Sequence, residues 1–460
     1  MVITGAETAA LPVTSRARAD SISSLMSGAA CRRAQLSAAA ESNSTHSFTR
    51  FGLRICDPAW VGAKVPVWLG MSARWQLPER AWVVRGGDPW CCTRVCGIHP
   101  RGLVGRWSAL GGVIDAGAAL AAGRLQASAA QGDPRTVAAR VRFFGADVVD
   151  PETGAVRADR VVLSWVGCTT YAFALAGSVF LLDAWVPRLT STGYVPATAQ
   201  DLADLAPEAI FIGHGHFDHA ADAGRIAEAS GAVVYGTAEH GVNIRAQVAD
   251  PTFRTVALGD GASLPGERHE FTVGPVEVTA VRHLHSARTA PERPGGSAPF
   301  FPLPELGAVV RHPPTLAGVL QSAPRLGDPE GGTLLYQFRV PGFALVWHDS
   351  SGPLTEKAPQ VFDVFADLAP TDVQIGAVQG FNQISNGLRD PRRYIEAVRP
   401  ALFVPSHHDN WLPGLTASAA TYDIPLRDEL ARIPTDHRPD LRPLYDPVDY
   451  VNPHRLTFPL

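Results

Sequence analysis

Apolar and polar positions along the chain follow two regimes. The first 130 residues show no sustained helical or strand period, whereas from about residue 138 short apolar runs of strand length alternate with amphipathic stretches. Residues 161–166 and Ser178–Leu182 are apolar runs flanking a Gly167-Cys168-Thr169-Thr170 turn, and Asp183 closes the second run. This predicts a strand, a turn and a strand that ends in a carboxylate at a loop. Thr198 can cap a short helix carrying Leu202 and Leu205 on one face. Residues 209–212 read as a buried strand delivering Gly213, followed by a helix over 222–229 and a strand over 232–235. The second half repeats the alternation without a visible sequence repeat. Strands are predicted over 276–281, 333–339, 344–347 and 401–404, and Asp390-Pro391 supplies an N-cap and first-turn proline for a helix to about Val398.

Strands alternating with helices and hairpins point to an α/β fold, a layered sheet-and-helix domain over residues 138–460. Residues 286–332 interrupt it with a long Pro/Gly-rich stretch that includes Phe300, Phe301, Pro302 and Pro304. An insertion of that length in a compact domain is more often a lid or binding loop than a mere connection. Residues 300–304 would cover a pocket and favour an apolar or acyl-bearing substrate.

Composition narrows the class. The 460 residues are 46% hydrophobic with a formal net charge of −4, and the mean hydropathy is +0.02, as in a water-soluble globular protein. Phosphate polyanions and anionic membranes require a concentrated basic surface, so a nucleic-acid partner is not expected and a small-molecule substrate is. Residues 1–130 carry 14 Arg and Lys against 7 Asp and Glu, a net of +7, together with six of the ten tryptophans; the remainder therefore carries −11. This break predicts an irregular, dispensable N-terminal extension over residues 1–130.

Five of the six cysteines (Cys31, Cys56, Cys91, Cys92, Cys96) lie in that extension and Cys168 stands alone in the rest, so no disulfide framework is expected for the main domain. Cys92 and Cys96 lack a matching pair at zinc-finger spacing. No run reaches the ~18–20 apolar residues of a membrane helix. Residues 101–129 resemble a signal peptide, with Arg101 and Arg106 ahead of an Ala/Gly/Leu run, but Asp115 interrupts it. A cytoplasmic location is the expectation, with export as the alternative.

The chemistry concentrates in Gly213-His214-Gly215-His216-Phe217-Asp218-His219, four potential ligands in six positions directly after a buried strand. Imidazole nitrogens and a carboxylate at this spacing suit borderline-soft divalent ions, zinc first, with manganese or iron as alternatives. The glycines permit the close turns that would aim neighbouring side chains at two adjacent metals. Three further candidates also follow strands. His283 and His285 come after the 276–281 strand, and the more distal His285 is better placed to reach past its end. Asp349 leaves the 344–347 strand in a small-residue loop, where a carboxylate can bridge two cations. His407 and His408 follow the 401–404 strand; adjacent side chains point apart, so one of them, His407 by preference, faces the site while His408, Asp409 and Trp411 line the wall.

Taken in order, Asp183, the His-x-His-x-Asp-His run, His285, Asp349 and His407 resemble the metallo-β-lactamase superfamily. That resemblance implies a four-layer αββα sandwich with metals between the ends of two sheets. It further implies that His214, His216 and His285 hold one metal and Asp218, His219 and His407 the other, with Asp349 bridging and Asp183 fixing the loop. True β-lactamases of this superfamily usually have cysteine at the position of Asp349, which argues against antibiotic hydrolysis. The Pro-x-His ending looks more like the branch of lactonases and phospholipase-D-type enzymes. The implied activity is di-zinc hydrolysis of an ester, lactone or phosphodiester by a metal-bound hydroxide that Asp218 orients. A di-iron redox protein of the same fold and a non-catalytic metal-binding protein are the competing readings.

Overall fold

In a computed structural model of the chain, residues 132–292 and 295–460 are described. The expectations for residues 1–130, including the signal-like segment 101–129 and the Cys92/Cys96 pair, lie outside the described residues. Among these residues the strands are β1 (Arg160–Gly167), β2 (Thr170–Leu175), β3 (Ser178–Leu182), β4 (Ala209–Phe211), β5 (Val233–Gly236), β6 (Thr255–Ala257), β7 (Arg268–Val273), β8 (Val276–His283), β9 (Thr333–Val340), β10 (Phe343–His348), β11 (Val373–Ala377), β12 (Leu402–Ser406), β13 (Asp440–Leu441) and β14 (Leu456–Pro459). They form two seven-stranded sheets, ordered β14-β1-β2-β3-β4-β5-β6 and β13-β12-β11-β10-β9-β8-β7. Four antiparallel strands followed by parallel ones make up each sheet, with the change at β3 in the first and at β10 in the second. The same order of antiparallel and parallel pairings thus occurs twice although no sequence repeat announces it, the edge strand coming from the C-terminus (β14) in the first sheet and from the preceding strand (β7) in the second.

The layering follows from side-chain alternation along the strands. Val161, Leu163 and Trp165 of β1 join Phe173, Phe180, Phe211, Tyr336, Phe338 and Trp347 in a core between the two sheets. Val162 and Val166 of the same strand face the other way, onto Leu202, Ile210 and Ile226 under the first sheet's helices. Leu335 and Val346 likewise turn outward against Val361, Phe365 and Tyr394. With both faces of both sheets covered, the fold is an αββα sandwich, and strands such as β1 and β10 read as continuous apolar runs because neither face meets water.

Three local expectations change. The Gly167–Thr170 turn joins β1 to β2, not to Ser178–Leu182, since Gly167 pairs with Thr170 and β2 pairs with β3. The missed β2 returns through Ala176-Gly177, both at positive φ. Such a two-residue hairpin turn normally announces itself as Asn-Gly or Asp-Gly, and Ala-Gly is a weak signal. Asp390 is not the cap of its helix: Arg389–Val398 begins after Leu388, and Asp390 lies in the first turn, committed to Arg389 and Asn382.

The 286–332 stretch is not wholly free loop. It contains the short helices Leu306–Arg311 and Leu316–Ser322, and its root is fastened to the neighbouring turn by Thr289 to Asn382, Glu292 to Asn386 and Phe300 to Gln383. Phe300 packs edge-on against Tyr422 at 5.2 Å, while Phe301 is exposed.

The Ala199–Asp204 helix carries a full capping box, with Thr198 accepting from the Asp201 N–H and Asp201 accepting from the Thr198 N–H. Thr198→Ala removes half of that reciprocal pair. It should cost about 1 kcal/mol in denaturant unfolding, with the metal content of the chain unchanged.

Candidate metal centre

The direction of the strands brings the candidate residues together. β1, β3 and β4 point the same way in the first sheet, as do β8, β10 and β12 in the second. The residues just past the C-terminal ends of these six strands supply Cys168 and Thr169, Asp183, His214, His285, Asp349 and His407. His216, Asp218 and His219 follow on the turn and short helix Phe217–Ala220 after β4. The backbone bends sharply to do this, with Asp183 and His407 both at positive φ.

Three donor groups result, each with its ligand atoms within 4.8 Å of one another: His214, His216 and His285; His214, His219 and Asp349; and Cys168, Asp218, His219 and His407. In the first, His214 Nε2 and His216 Nδ1 face each other at 2.9 Å, and the His285 ring lies 4.6 Å from that of His214. Asp349 Oδ2 is 2.7 Å from His214 Nδ1 and 3.3 Å from His219 Nδ1. Asp218 Oδ2 lies 3.4 Å from His219 Nε2 and 3.3 Å from His407 Nε2.

Around this set stand residues that aim it. Asp183 accepts the Gly213 N–H with one oxygen, and its other oxygen lies 2.6 Å from Thr169 Oγ1 and 2.7 Å from His219 Nδ1. It thereby fixes both the loop and the imidazole, whose Nε2 is left facing Asp218. Gln379 Oε1 lies 3.2 Å from His407 Nδ1 and does the same for His407. Sequence reasoning gave no role to Thr169 and Gln379, which are isolated polar residues in unremarkable runs. Gly213 is required for space, because a Cβ there would lie 2.1 Å from the Asp349 carboxyl carbon.

The other candidates fall elsewhere. His283 is the last residue of β8, buried beneath the site with Nδ1 2.9 Å from Tyr394 Oη. His408 Nε2 is 3.1 Å from the Leu444 carbonyl and the ring stacks on Trp165. Asp409 accepts from the Cys168 N–H and the Tyr450 hydroxyl. Trp411 packs against Trp185 and stands edge-on to His407. Phe300 rests on Tyr422, and the aromatic side chain beside His285 is instead Phe381, exposed and 6.3 Å away ring to ring.

Electrostatics suit a cation. Burial, reinforced by neighbouring imidazoles, drives His214 well below the usual histidine value, and burial with His216 and His219 brings His285 down to about 3. Both rings are therefore neutral lone-pair donors. Burial pushes the Asp218 carboxyl up, but His219 and His407 outweigh it and hold it well below the usual range. Burial also opposes the His219 imidazolium, yet Asp218, Asp183 and Asp349 raise it well above the usual value. Asp349 is raised well above its usual value by burial and by Asp183. Its Oδ1 is buried and has no hydrogen-bond partner, an arrangement that costs stability unless a cation answers it.

Residues 163–299 match the family model of the metallo-beta-lactamase superfamily. That segment belongs to the metallo-β-lactamase superfamily. It contains Asp183, the His214–His219 run and His285, while Asp349 and His407 lie beyond it. A UPF0173 metal-dependent hydrolase of Pyrobaculum neutrophilum is 31% identical over 121 residues, 26% of this chain and 52% of that protein. A second, from Exiguobacterium, is 35% identical over 94 residues, 18% of this chain and 39% of that protein. The chain thus spans about half the length of the curated relatives it matches. Among solved structures, the Igni18 metallo hydrolase of Ignicoccus hospitalis aligns over 65% of this chain and 99% of that one, at 13% identity and a TM-score of 0.41.

Proposed function

We propose that residues 138–460 form a metal-dependent hydrolase that holds two divalent cations, zinc first, and cleaves an ester, lactone or phosphodiester bond of a small molecule. The observation that carries this reading is Asp349: one carboxylate oxygen lies 2.7 Å from His214 of the all-histidine group and 3.3 Å from His219 of the group containing Asp218, while the other is buried without a partner. In this reading His214, His216 and His285 hold one cation, Asp218, His219 and His407 the other, and Asp349 bridges.

Bound cations supply Lewis acidity and bring the pKa of coordinated water toward about 7. The chain's own residues set the stage for that chemistry. Asp183 and Gln379 hold the imidazoles of His219 and His407 in one tautomer, and Asp349 does the same for His214. Asp218 is ionised and offers a carboxylate oxygen that can orient a water or carry its proton. Trp185, Trp411 and Phe217 wall off water on one side, while exposed Phe381 beside His285 offers an apolar contact to the substrate. Residues 301–326, with Phe301, Leu303, Leu306, Leu316 and Leu320 exposed, would serve as the lid.

Metal analysis and a substrate panel test this together. Chelation of the purified chain should abolish turnover of a panel of lactones, esters, thioesters and phosphodiesters, and two equivalents of zinc should restore it. Iron with redox activity in its place, or turnover indifferent to chelation, would reject the proposal.

A further inference from the structure

The group around Asp218 contains one more donor than the histidine-and-carboxylate set requires. We propose that Cys168 is a further protein ligand to the cation held by Asp218, His219 and His407, a fifth donor beside the bridging Asp349, so that one of the two metal positions carries a sulfur donor. This rests on the reading of the cluster as a metal centre.

Geometry carries the argument. Ligands at bond lengths of about 2.0–2.3 Å stand roughly 3–3.7 Å from their nearest neighbours in a four- or five-coordinate shell. Three edges of the group are 3.3 Å (His407 Nε2 to Asp218 Oδ2), 3.4 Å (His219 Nε2 to Asp218 Oδ2) and 4.0 Å (Cys168 Sγ to Asp218 Oδ2). All four donor atoms lie within 4.8 Å of one another, so an inward movement of the sulfur would bring it to the same cation.

The backbone that carries that sulfur is closely specified. The Cys168 N–H donates to both Asp409 carboxylate oxygens, at 3.1 and 3.0 Å. Its carbonyl accepts from the Ser406 hydroxyl (2.9 Å), the Trp165 indole (3.1 Å) and the N–H of His407 itself (3.0 Å). The β1–β2 turn and the end of β12 are thus tied to each other through the two residues that would share the metal. A side chain chosen only to fill space beside Trp185 and Trp411 needs no second, third and fourth donor at its sulfur.

The two positions would then differ in kind. His214, His216 and His285 offer nitrogen alone, whereas a thiolate makes the other softer and favours zinc, cobalt or cadmium over magnesium or manganese. On coordination the thiol loses its proton to buffer as the sulfur–metal bond forms.

The test uses the full chain with Cys31, Cys56, Cys91, Cys92 and Cys96 replaced by serine, so that Cys168 is its sole thiol, loaded with Co2+. Expected is a thiolate-to-cobalt charge-transfer band in the near ultraviolet at about one thiolate per chain, lost on adding Cys168→Ala. Stoichiometric cobalt with visible d–d bands but no thiolate band overturns the sulfur ligand and leaves the metal centre standing. A folded chain that binds no cobalt overturns both. Because the single-thiol chain reads the bond directly, the result does not depend on the alanine variant folding.

Discussion

Asp349→Ala should lower metal-dependent turnover by on the order of 10³-fold and reduce the bound metal to one equivalent or less, with the fold retained. Lewis-acid stabilisation by a bound cation is worth several kcal/mol, and about 4 kcal/mol corresponds to that factor in rate. Removing the carboxylate takes away the orphaned Oδ1 and the partner of His214 Nδ1 together, so His214 loses both its bridging neighbour and its tautomeric anchor. Gly213→Ala approaches the same group by steric means, since its new Cβ would fall 2.1 Å from the Asp349 carboxyl carbon. Its metal loss should resemble that of Asp349→Ala. His283→Gln serves as the contrast: its ring is bonded to Tyr394 and lies outside the three donor groups, so that variant should keep its metal while losing some stability. Zinc content by mass spectrometry and turnover of the metal-loaded variants decide the matter. An Asp349→Ala chain that keeps two metals and full turnover would dismiss the bridging role.

The difference between His283 and Asp349 shows what could be read from the chain. Density of ligands in residues 214–219 was legible because six consecutive positions carry it, and the later candidates were legible because each follows an apolar run. The choice between His283 and His285 depended on where β8 ends, and β8 continues to His283, two residues past the predicted boundary. A residue still in the strand packs with its sheet; one beyond the end is free to turn into the site. Cys168 is not legible as a ligand, because a turn joining β1 directly to β3 would lie at the opposite end of the sheet from Asp183. With β2 between them, that turn sits at the same end of the sheet as Asp183 and His214. The pairing order that the two sheets share was invisible because topology is carried by pairing between distant residues, and local apolar periodicity does not record it. Thr169, Gln379 and Tyr394 were out of reach for the same reason, since each is defined by a partner across the fold.

Arg389→Met should destabilise the chain by about 3–5 kcal/mol in denaturant unfolding, the range for removing one partner of a buried ion pair. Arg389 is fully buried and pairs with Asp390 at 2.7 Å, Glu356 at 2.6 Å and Glu292 at 3.1 Å. Glu292 belongs to the root of the insertion and Glu356 to the helix that follows the Asp349 loop, so one guanidinium ties both to the Arg389–Val398 helix. Methionine fills the volume but leaves the Asp390 carboxylate buried with only Asn382 to satisfy it. Burial already raises the Asp390 pKa, with Arg389 opposing that rise, so losing Arg389 should raise it further. A carboxyl whose folded pKa lies above its unfolded value is costly when ionised and recovers stability as pH falls through the folded pKa. The deficit of Arg389→Met should therefore shrink from neutral toward acidic pH, and Asp390→Asn added to it should remove most of that pH dependence. The double variant should still show a raised KM on the substrate panel, because Glu292 has lost its anchor and the insertion its fixed root. A deficit that is flat with pH, or unchanged by Asp390→Asn, would mean that lost packing rather than an unpaired carboxylate sets the cost.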